Sequence, residues 1–239
     1  HHNIHLFNRE LGLLMKCRGH PNVMKIHGWF VNEATCTSNI ISTAYSHTLR
    51  SILYTVSEAM YHDVECSIGN ALTHMHSMGV IHRDIKPENI MYDSDNGVWV
   101  LIDLGLSRVV CSGDMSPNVC SRWYRSPELL LQNTAYGVGV DIWSMGCVCA
   151  EMCTKRPLFQ GHSDLEQLQL IFGVMGTPDM EWWNMYATKW PYGAFTRPTC
   201  TIPLHEDWEA IDETRKQNIL NMLHMDPTCR RIPHRKRDE

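Results

Sequence analysis

The 239-residue sequence predicts an α+β fold in which one helix is followed by a little sheet and then by mostly helix. Three observations predict it. An amphipathic run opens the chain, two short strand-like runs follow "GHPN", and long helical patterns fill most of what remains.

The first helix is read in "HLFNRELGLLMKC", where Leu6, Phe7, Leu11, Leu14 and Met15 fall at helical spacing. "GHPN" breaks it, and "VMKIHGWFV" and "SNIISTAYS" then read as two strands. In "SEAMYHDVECSIGNALTHMHSMG" the stripe Met60, Val64, Ile68, Leu72 and Met75 predicts a long helix packing one face and stopped by Gly79. "GVWVLIDLG" is a short hydrophobic strand running into Asp103 and Gly105, and a loop rich in Ser, Gly, Asp, Pro and Asn covers 111–121. "VDIWSMGCVCAEM" is apolar nearly all round, so that helix is expected to be central and buried. Beyond Pro157 the chain reads as irregular helix, broken by "GTPD", Pro191, Pro198 and Pro203, with a last helix in "ETRKQNILNMLHM". Trp123, Trp143 and the Met-rich helices read as core.

Composition narrows the function. A formal net charge of -5 gives no general basic field, which argues against a nucleic-acid partner, and the basic tail "RRIPHRKRDE" reads as a solvated terminus. The ten cysteines are scattered without any Cys-x-x-Cys, so free thiols in a reducing compartment are expected rather than zinc or a redox pair. The fourteen histidines read as surface or satisfied core residues. "IWSMGCVCA" is far shorter than the roughly 20 residues of a membrane span, and no leader pattern is visible, so an intracellular protein without a membrane partner is expected.

The chemistry concentrates in "VIHRDIKPENIM", which sets Arg83, Asp84, Lys86, Glu88 and Asn89 within seven residues. Asn89 offers a carbonyl oxygen and Asp103 a carboxylate, hard ligands suited to Mg²⁺ held against phosphates. Asp84, five residues before Asn89, is placed to orient a hydroxyl nucleophile. Lys86 supplies a cation where a transferring phosphoryl group gathers charge. Each residue taken singly also reads as a loop-capping polar group. The order of motifs decides between the two readings.

"HRDIKPENI", "LIDLGLSR", "RWYRSPE", "DIWSMGC" and "DPTCRR", in this order, closely resemble eukaryotic protein kinases. The resemblance runs from the first helix to about Ile232. It implies a protein-kinase-like fold with a truncated N-terminal lobe over residues 1–46 and a mostly helical C-terminal lobe over 47–239. It implies Asp84 as catalytic base, Lys86 as the lysine serving the transferred phosphate in serine/threonine kinases, and Asn89 and Asp103 as Mg²⁺ ligands. Glu10 matches the helix glutamate that pairs with an ATP-contacting lysine. Ile41 to Tyr45, Thr43 included, would form the hinge beside adenine, with Ser42 as gatekeeper. Asp141 would brace the catalytic loop, and Glu128 would pair with Arg230 in a buried ion pair. ATP and Mg²⁺ are the implied cofactors.

"NVCSRWYRSPELLL" and "LFQGHSDLEQLQLIFGVMGTP" resemble the branch of cyclin-dependent and mitogen-activated kinases. In that branch three arginines gather on a phosphorylated activation-loop residue. Arg9, Arg83 and Arg108 occupy the matching places, and Ser116 is the residue they would clamp. Arg9 and Arg108 also read as ordinary surface charge. Arg125 matches the arginine associated with proline after the phosphorylated residue. Ser121 replaces the usual threonine, with its hydroxyl facing Asp84 and Lys86.

The pattern departs from the family in two places. The Gly-rich loop and strand lysine should precede Glu10, but the nine residues there contain neither Lys nor Gly, and Lys16 and Lys25 follow it. A fragment of a longer kinase, or a product lacking the roof over the ATP phosphates, is expected. Leu104 stands where phenylalanine is usual, so looser packing is expected there. The resemblance thus implies a serine/threonine protein kinase, cytoplasmic or nuclear, acting on protein hydroxyls before proline, with an activating kinase and a regulatory protein as partners. The alternative is a catalytically impaired fragment or a pseudokinase-like binding module. A metal-dependent phosphatase or nuclease has little support, since metal-ligand histidine spacings are lacking.

Overall fold

The computed structural model describes residues 2–32, 34–35, 37–110, 115–188, 190–192 and 206–233. The expected loop over 111–114, the breaks at Pro198 and Pro203 and the basic tail from residue 234 lie outside the described residues. Two compact units form, one from residues 1–83 and 87–110, the other from 84–86 and 111–239.

The first unit opens with α1 (His2–Cys17). Of the predicted stripe Leu14 is buried, Phe7, Leu11 and Met15 are half-buried and Leu6 is exposed, and Leu13 and Cys17 are buried as well. After α1 the chain forms an antiparallel pair, β1 (Ile26–Asn32) and β2 (Thr37–Ser42), with an irregularity between Ile26 and Gly28. The second strand is shorter than predicted. Thr43 and Tyr45 leave the ladder, the Thr43 amide donating to Lys25 O at 3.0 Å and the Tyr45 hydroxyl accepting from the Lys25 amide at 3.0 Å. "GHPN" is more than a break: buried Asn22 donates from Nδ2 to Trp99 O at 2.8 Å and accepts the Leu101 amide on its own carbonyl at 2.9 Å.

Asn22 thereby fastens the end of α1 to β6 (Val98–Leu101), which pairs antiparallel with β5 (Ile90–Asp93), itself paired with β3 (His47–Thr48). Packed on this sheet is α3 (Glu58–Ser77), capped by the Ser57 hydroxyl on the Met60 amide and followed by Gly79 at φ +67°. A left-handed turn of that kind suits glycine, which has no Cβ to clash. The core face is Tyr61, Val64, Ile68, Ala71, Leu72 and Met75, with Tyr61 taking the place predicted for half-buried Met60. Beyond Gly79, β4 (Val80–Ile81) pairs antiparallel with β7 (Arg108–Val109).

In the second unit α5 (Gly139–Thr154) is buried along nearly its whole length, as its all-round apolar pattern predicts. It packs on α9 (Glu213–Met222) so closely that a Cβ on Gly146 would stand 2.9 Å from Leu223 Cδ2 and Met222 Cβ. Trp143 stacks on Phe159 with ring centroids 6.1 Å apart. Trp123, by contrast, is not core: it is 39% exposed, because it lies on a short 3₁₀ turn (Arg122–Tyr124) whose inward member is Tyr124. Met78, Met180 and Met185 are likewise exposed, whereas Met75, Met145, Met152 and Met222 are buried. Among the described cysteines Cys17, Cys147 and Cys229 are free thiols.

The expected Glu128–Arg230 pair is present. Arg230 Nη1 and Nη2 meet the two Glu128 oxygens at 2.6 and 2.8 Å, with both side chains all but excluded from solvent. The remaining Arg230 donors reach Gly139 O, His224 O and Met225 O, and its guanidinium lies 4.9 Å from the Trp143 ring centre. Removing one partner leaves a buried charge without its counter-ion. Glu128→Ala alone is expected to cost about 3–5 kcal/mol, and the apolar double variant Glu128→Leu/Arg230→Met to recover much of that. Urea denaturation of the two variants beside the parent checks it, and equal losses in the single and the double variant would refute the argument.

Candidate active site

The sequence-predicted residues fall into clusters, each built inside its own unit. In the second unit the loop residues Asp84 and Lys86 meet Ser121. Lys86 Nζ lies 2.6 Å from Asp84 Oδ2 and donates to Ser121 Oγ at 3.2 Å. Ser121 in turn donates to Asp84 Oδ1 from its hydroxyl at 3.2 Å and its amide at 3.1 Å. Each of the three therefore touches the other two, and the Asp84 side chain is nearly buried.

Backbone strain positions this group. Cys120, before Ser121, has φ +63°, and Arg83, before Asp84, has φ +69°. Neither is glycine, so each conformation costs on the order of 1 kcal/mol and persists only where neighbours enforce it. Arg125 enforces the first, donating to Val119 O at 2.8 Å and Cys120 O at 3.0 Å. Asp164 anchors Arg125 and Arg122 at 3.3 and 3.0 Å. The sequence gives no signal for Asp164, which reads only as an acidic residue in the first turn of α6 (Asp164–Met175).

In the first unit Arg83 is held by its Nε, which donates to Leu106 O at 2.7 Å. His82, buried before it, bonds to Ile102 O at 3.0 Å and accepts the Ser107 hydroxyl on its carbonyl at 3.1 Å. These bonds tie the start of the "HRD" motif to the chain around "IDLGLS". Sequence reading gave His82 no role of its own beyond heading "HRDIKPENI", since its long-range bonds leave no spacing signature.

Asn89 is buried on a 3₁₀ turn (Pro87–Asn89), and its carbonyl accepts the Ile102 amide at 3.0 Å. Asp103 is exposed, with φ +63°, and its Oδ1 accepts the Gly105 amide at 3.1 Å. Glu10 of α1 reaches the same place: a Cβ on Gly105 would lie 3.1 Å from Asp103 Oδ1 and 3.7 Å from Glu10 Oε2. Burial raises the Glu10 carboxyl above the ordinary carboxylate range, Asp103 repels it in the same sense, and Arg9 opposes both. Among the described residues no three His, Cys, Asp or Glu side chains gather to hold a metal. The amide oxygen of Asn89 and the carboxylate of Asp103 are hard donors, and that chemistry fits Mg²⁺.

Arg9, Arg83 and Arg108 form a third group. Arg9 Nη2 donates to Gly105 O at 2.8 Å while its Nε is buried without a partner. Burial, then Arg108 and Arg83, depress the Arg9 guanidinium below its usual value, so both other arginines lie within electrostatic reach of Arg9. Ser116 is exposed, its carbonyl accepting the Tyr136 hydroxyl at 2.7 Å. Of the predicted hinge, Ile41 and Ser42 are exposed at the end of β2, Thr43 contacts His27 Nε2 at 3.0 Å, and burial raises the Tyr45 hydroxyl.

Because its pKa is raised in the fold, Glu10 contributes stability that is complete at low pH and is lost as pH rises through that raised value. Asp103→Asn removes the like charge, so the Glu10 carboxyl is expected to titrate at lower pH in that variant. Carbon-13 NMR of the Glu10 carboxyl reads it; an unmoved titration would assign the shift to burial alone.

A family model described as "Protein kinase domain" matches residues 2–235. The chain is 34% identical over 95% of its length to Cyclin-dependent kinase C-2 C of Arabidopsis thaliana, covering 36% of that protein. It is 36% identical over 80% of its length to a probable serine/threonine-protein kinase of the same plant, covering 34% of it. Against Cyclin-dependent kinase 4 of Rattus norvegicus it is 33% identical over 93% of this chain and 76% of the relative. The chain thus spans about a third of the length of the two plant relatives and about three quarters of the rat one. With a mixed helix-and-sheet fold to match, this chain belongs to the protein kinase domain family.

Proposed function

We propose that the chain carries a serine/threonine protein kinase activity that transfers the γ-phosphoryl group of ATP to a protein hydroxyl. The observation that carries the reading is the closed contact among Asp84, Lys86 and Ser121. A carboxylate held beside an ammonium and already receiving a hydroxyl proton is arranged to orient a second hydroxyl and to accept its proton. Lys86 stands ready to offset the charge of a transferring phosphoryl group. Asn89 and Asp103 would hold Mg²⁺, which when bound neutralises phosphate charge. Glu10 and the Ile41, Thr43 and Tyr45 stretch would serve the nucleotide. In this reading residues 1–46 act as a partial N-terminal lobe and 47–239 as the C-terminal lobe. Among the described residues no helix is long and apolar enough to cross a membrane.

Proline preference has a physical support. Arg125 occupies the carbonyls of Val119 and Cys120, so those oxygens are engaged and a following substrate residue finds no acceptor for its N–H. Proline has no N–H to satisfy. Control by phosphorylation of Ser116 is supported by the orphan Arg9 Nε and by three cations held close together. A phosphoserine offers three acceptor oxygens and nearly two negative charges to such a group. An activating kinase and a regulatory protein would then be partners.

Asp84→Asn keeps the shape of the loop and removes the acceptor. It is expected to lower phosphorylation of a Ser-Pro peptide by about 10²- to 10⁴-fold while Mg·ATP binding, read by thermal shift, stays. Undiminished activity in that variant would sink the assignment. Ser116→Ala is expected to block activation of the kinase, and full activity without the hydroxyl would remove the clamp from the proposal.

A further inference from the structure

A cavity of about 960 Å³ opens in the first unit beside the C-terminal end of α1; Asp84, Asn89, Asp103 and Glu10 do not line it, and Tyr45 at the end of the predicted hinge does. Its apolar wall is made by Met15, Val23, Met24, Ile26 and Trp29. Arg18 and Lys25 stand on the same lining, both exposed, and neither makes an ion pair among the described residues. The volume matches sites that take a drug-sized molecule.

The charge of the lining decides what kind of molecule. Asp93 is its one carboxylate, and its own turn engages it: Oδ1 accepts the Asp95 and Asn96 amides at 3.1 and 3.2 Å, and Oδ2 accepts Asn96 Nδ2 at 2.8 Å. Lys25 attracts Asp93 without pairing with it. The lining therefore carries two cations against one carboxylate already supplied with three donors. His20 and His27 add ring nitrogens. His20 Nδ1 accepts the Asn22 amide at 3.2 Å, which leaves its Nε2 as the protonated, donating nitrogen. A neutral apolar ligand would use the wall and leave these groups idle; a cation would be repelled.

The wall is also firm where it matters. The Lys25 backbone is fixed on both sides, its amide on the Tyr45 hydroxyl and its carbonyl on the Thr43 amide, so Lys25 is presented from a set position. His20 stacks on His74 with ring centroids 4.8 Å apart, and His74 Nε2 reaches Cys17 O at 3.0 Å, which holds the end of α1. Preformed sites of this kind lose little ordering entropy on binding.

We propose that this cavity binds a small amphipathic anion, a flat or branched apolar body bearing one acidic group, with the body against Met24, Ile26 and Trp29 and the acid at Arg18 and Lys25. The proposed ligand is distinct from the nucleotide; Tyr45 of the predicted hinge stands on the lining, and titration with and without Mg·ATP separates the two.

Naphthalene-2-carboxylate is the probe and naphthalene-2-carboxamide its neutral control, each titrated calorimetrically into the full 239-residue chain with and without saturating Mg·ATP. The carboxylate is expected to bind at least about tenfold more tightly than the amide, a difference of about 1.4 kcal/mol. Arg18→Glu/Lys25→Glu, changing two exposed residues, is expected to erase that preference while the thermal melt of the protein stays in place. Met24→Trp, which fills the cavity, is expected to weaken carboxylate and amide alike. Equal binding of the two probes, no binding at millimolar probe, or displacement by Mg·ATP would each overturn the proposal. An undiminished preference for the carboxylate in the charge-reversed variant would overturn it as well.

Discussion

Three residues that are not glycine hold left-handed backbone at or beside the candidate site residues: Arg83 before Asp84, Asp103 itself, and Cys120 before Ser121. L-residues avoid this region because Cβ crowds the following carbonyl, so the fold has to compensate locally. It does so in the same way each time, with a hydrogen bond to the strained turn. Arg83 Nε binds Leu106 O, Asp103 Oδ1 binds the Gly105 amide, and Arg125 Nη2 binds Cys120 O. The turns aim side chains that ordinary extended or helical backbone would send elsewhere. Positioning at this site is therefore a property of polar bonds to carbonyls and amides more than of core packing.

Those bonds need a rigid frame. In the second unit it is α5, whose burial leaves no soft side and whose Gly146 lets α9 approach to contact. Buried polar groups fix the elements around it: Tyr124 donates to Glu151 at 2.7 Å, Ser144 donates to Tyr124 O at 2.7 Å, and Arg230 ties Glu128 to the carbonyls of Gly139, His224 and Met225. Groups of this kind contribute less net stability than apolar packing would, but they accept one arrangement and penalise others. In the first unit Asn22 plays the corresponding part on a smaller scale, locking the segment after α1 to β6 through two bonds.

Periodicity made the helices legible, because α3 and α5 each bury the pattern their sequences display. The ordered motifs made the family legible, and chain neighbours such as Asp84 and Lys86 were found by their spacing. What escaped was long-range or conformational. Asp164 pairs with arginines some forty residues upstream, and nothing local to "HSDLEQ" announces it. A left-handed cysteine at 120 contradicts residue preference and is enforced from outside. The end of β2 was misread because Thr43 and Tyr45, both suited to strands, spend their polar groups on the chain around Lys25 and His27 instead. Trp123 was misread because an aromatic residue beside a motif reads as core, while the 3₁₀ turn that carries it presents only Tyr124 inward.

Charge sorts the remaining groups by purpose. Glu128 and Arg230 neutralise each other out of contact with water, and Asp84 and Lys86 meet at 2.6 Å. The first pair is sealed from water and holds structure, while the second also engages Ser121 in the candidate active site. Elsewhere the charges do not cancel locally. Glu10 and Asp103 are carboxylates that repel, Arg9, Arg83 and Arg108 are cations that repel, and Arg18 and Lys25 share a lining with one engaged acid. Keeping like charges close costs free energy in the fold alone. That cost would be removed when an opposite charge arrives, and in the readings proposed above each cluster would admit something different: Mg²⁺ at Asp103 with Asn89, a multiply charged phosphate at the three guanidiniums, a single acid with an apolar body at the cavity. The uncompensated clusters are thus the places where binding changes the energy of this molecule most.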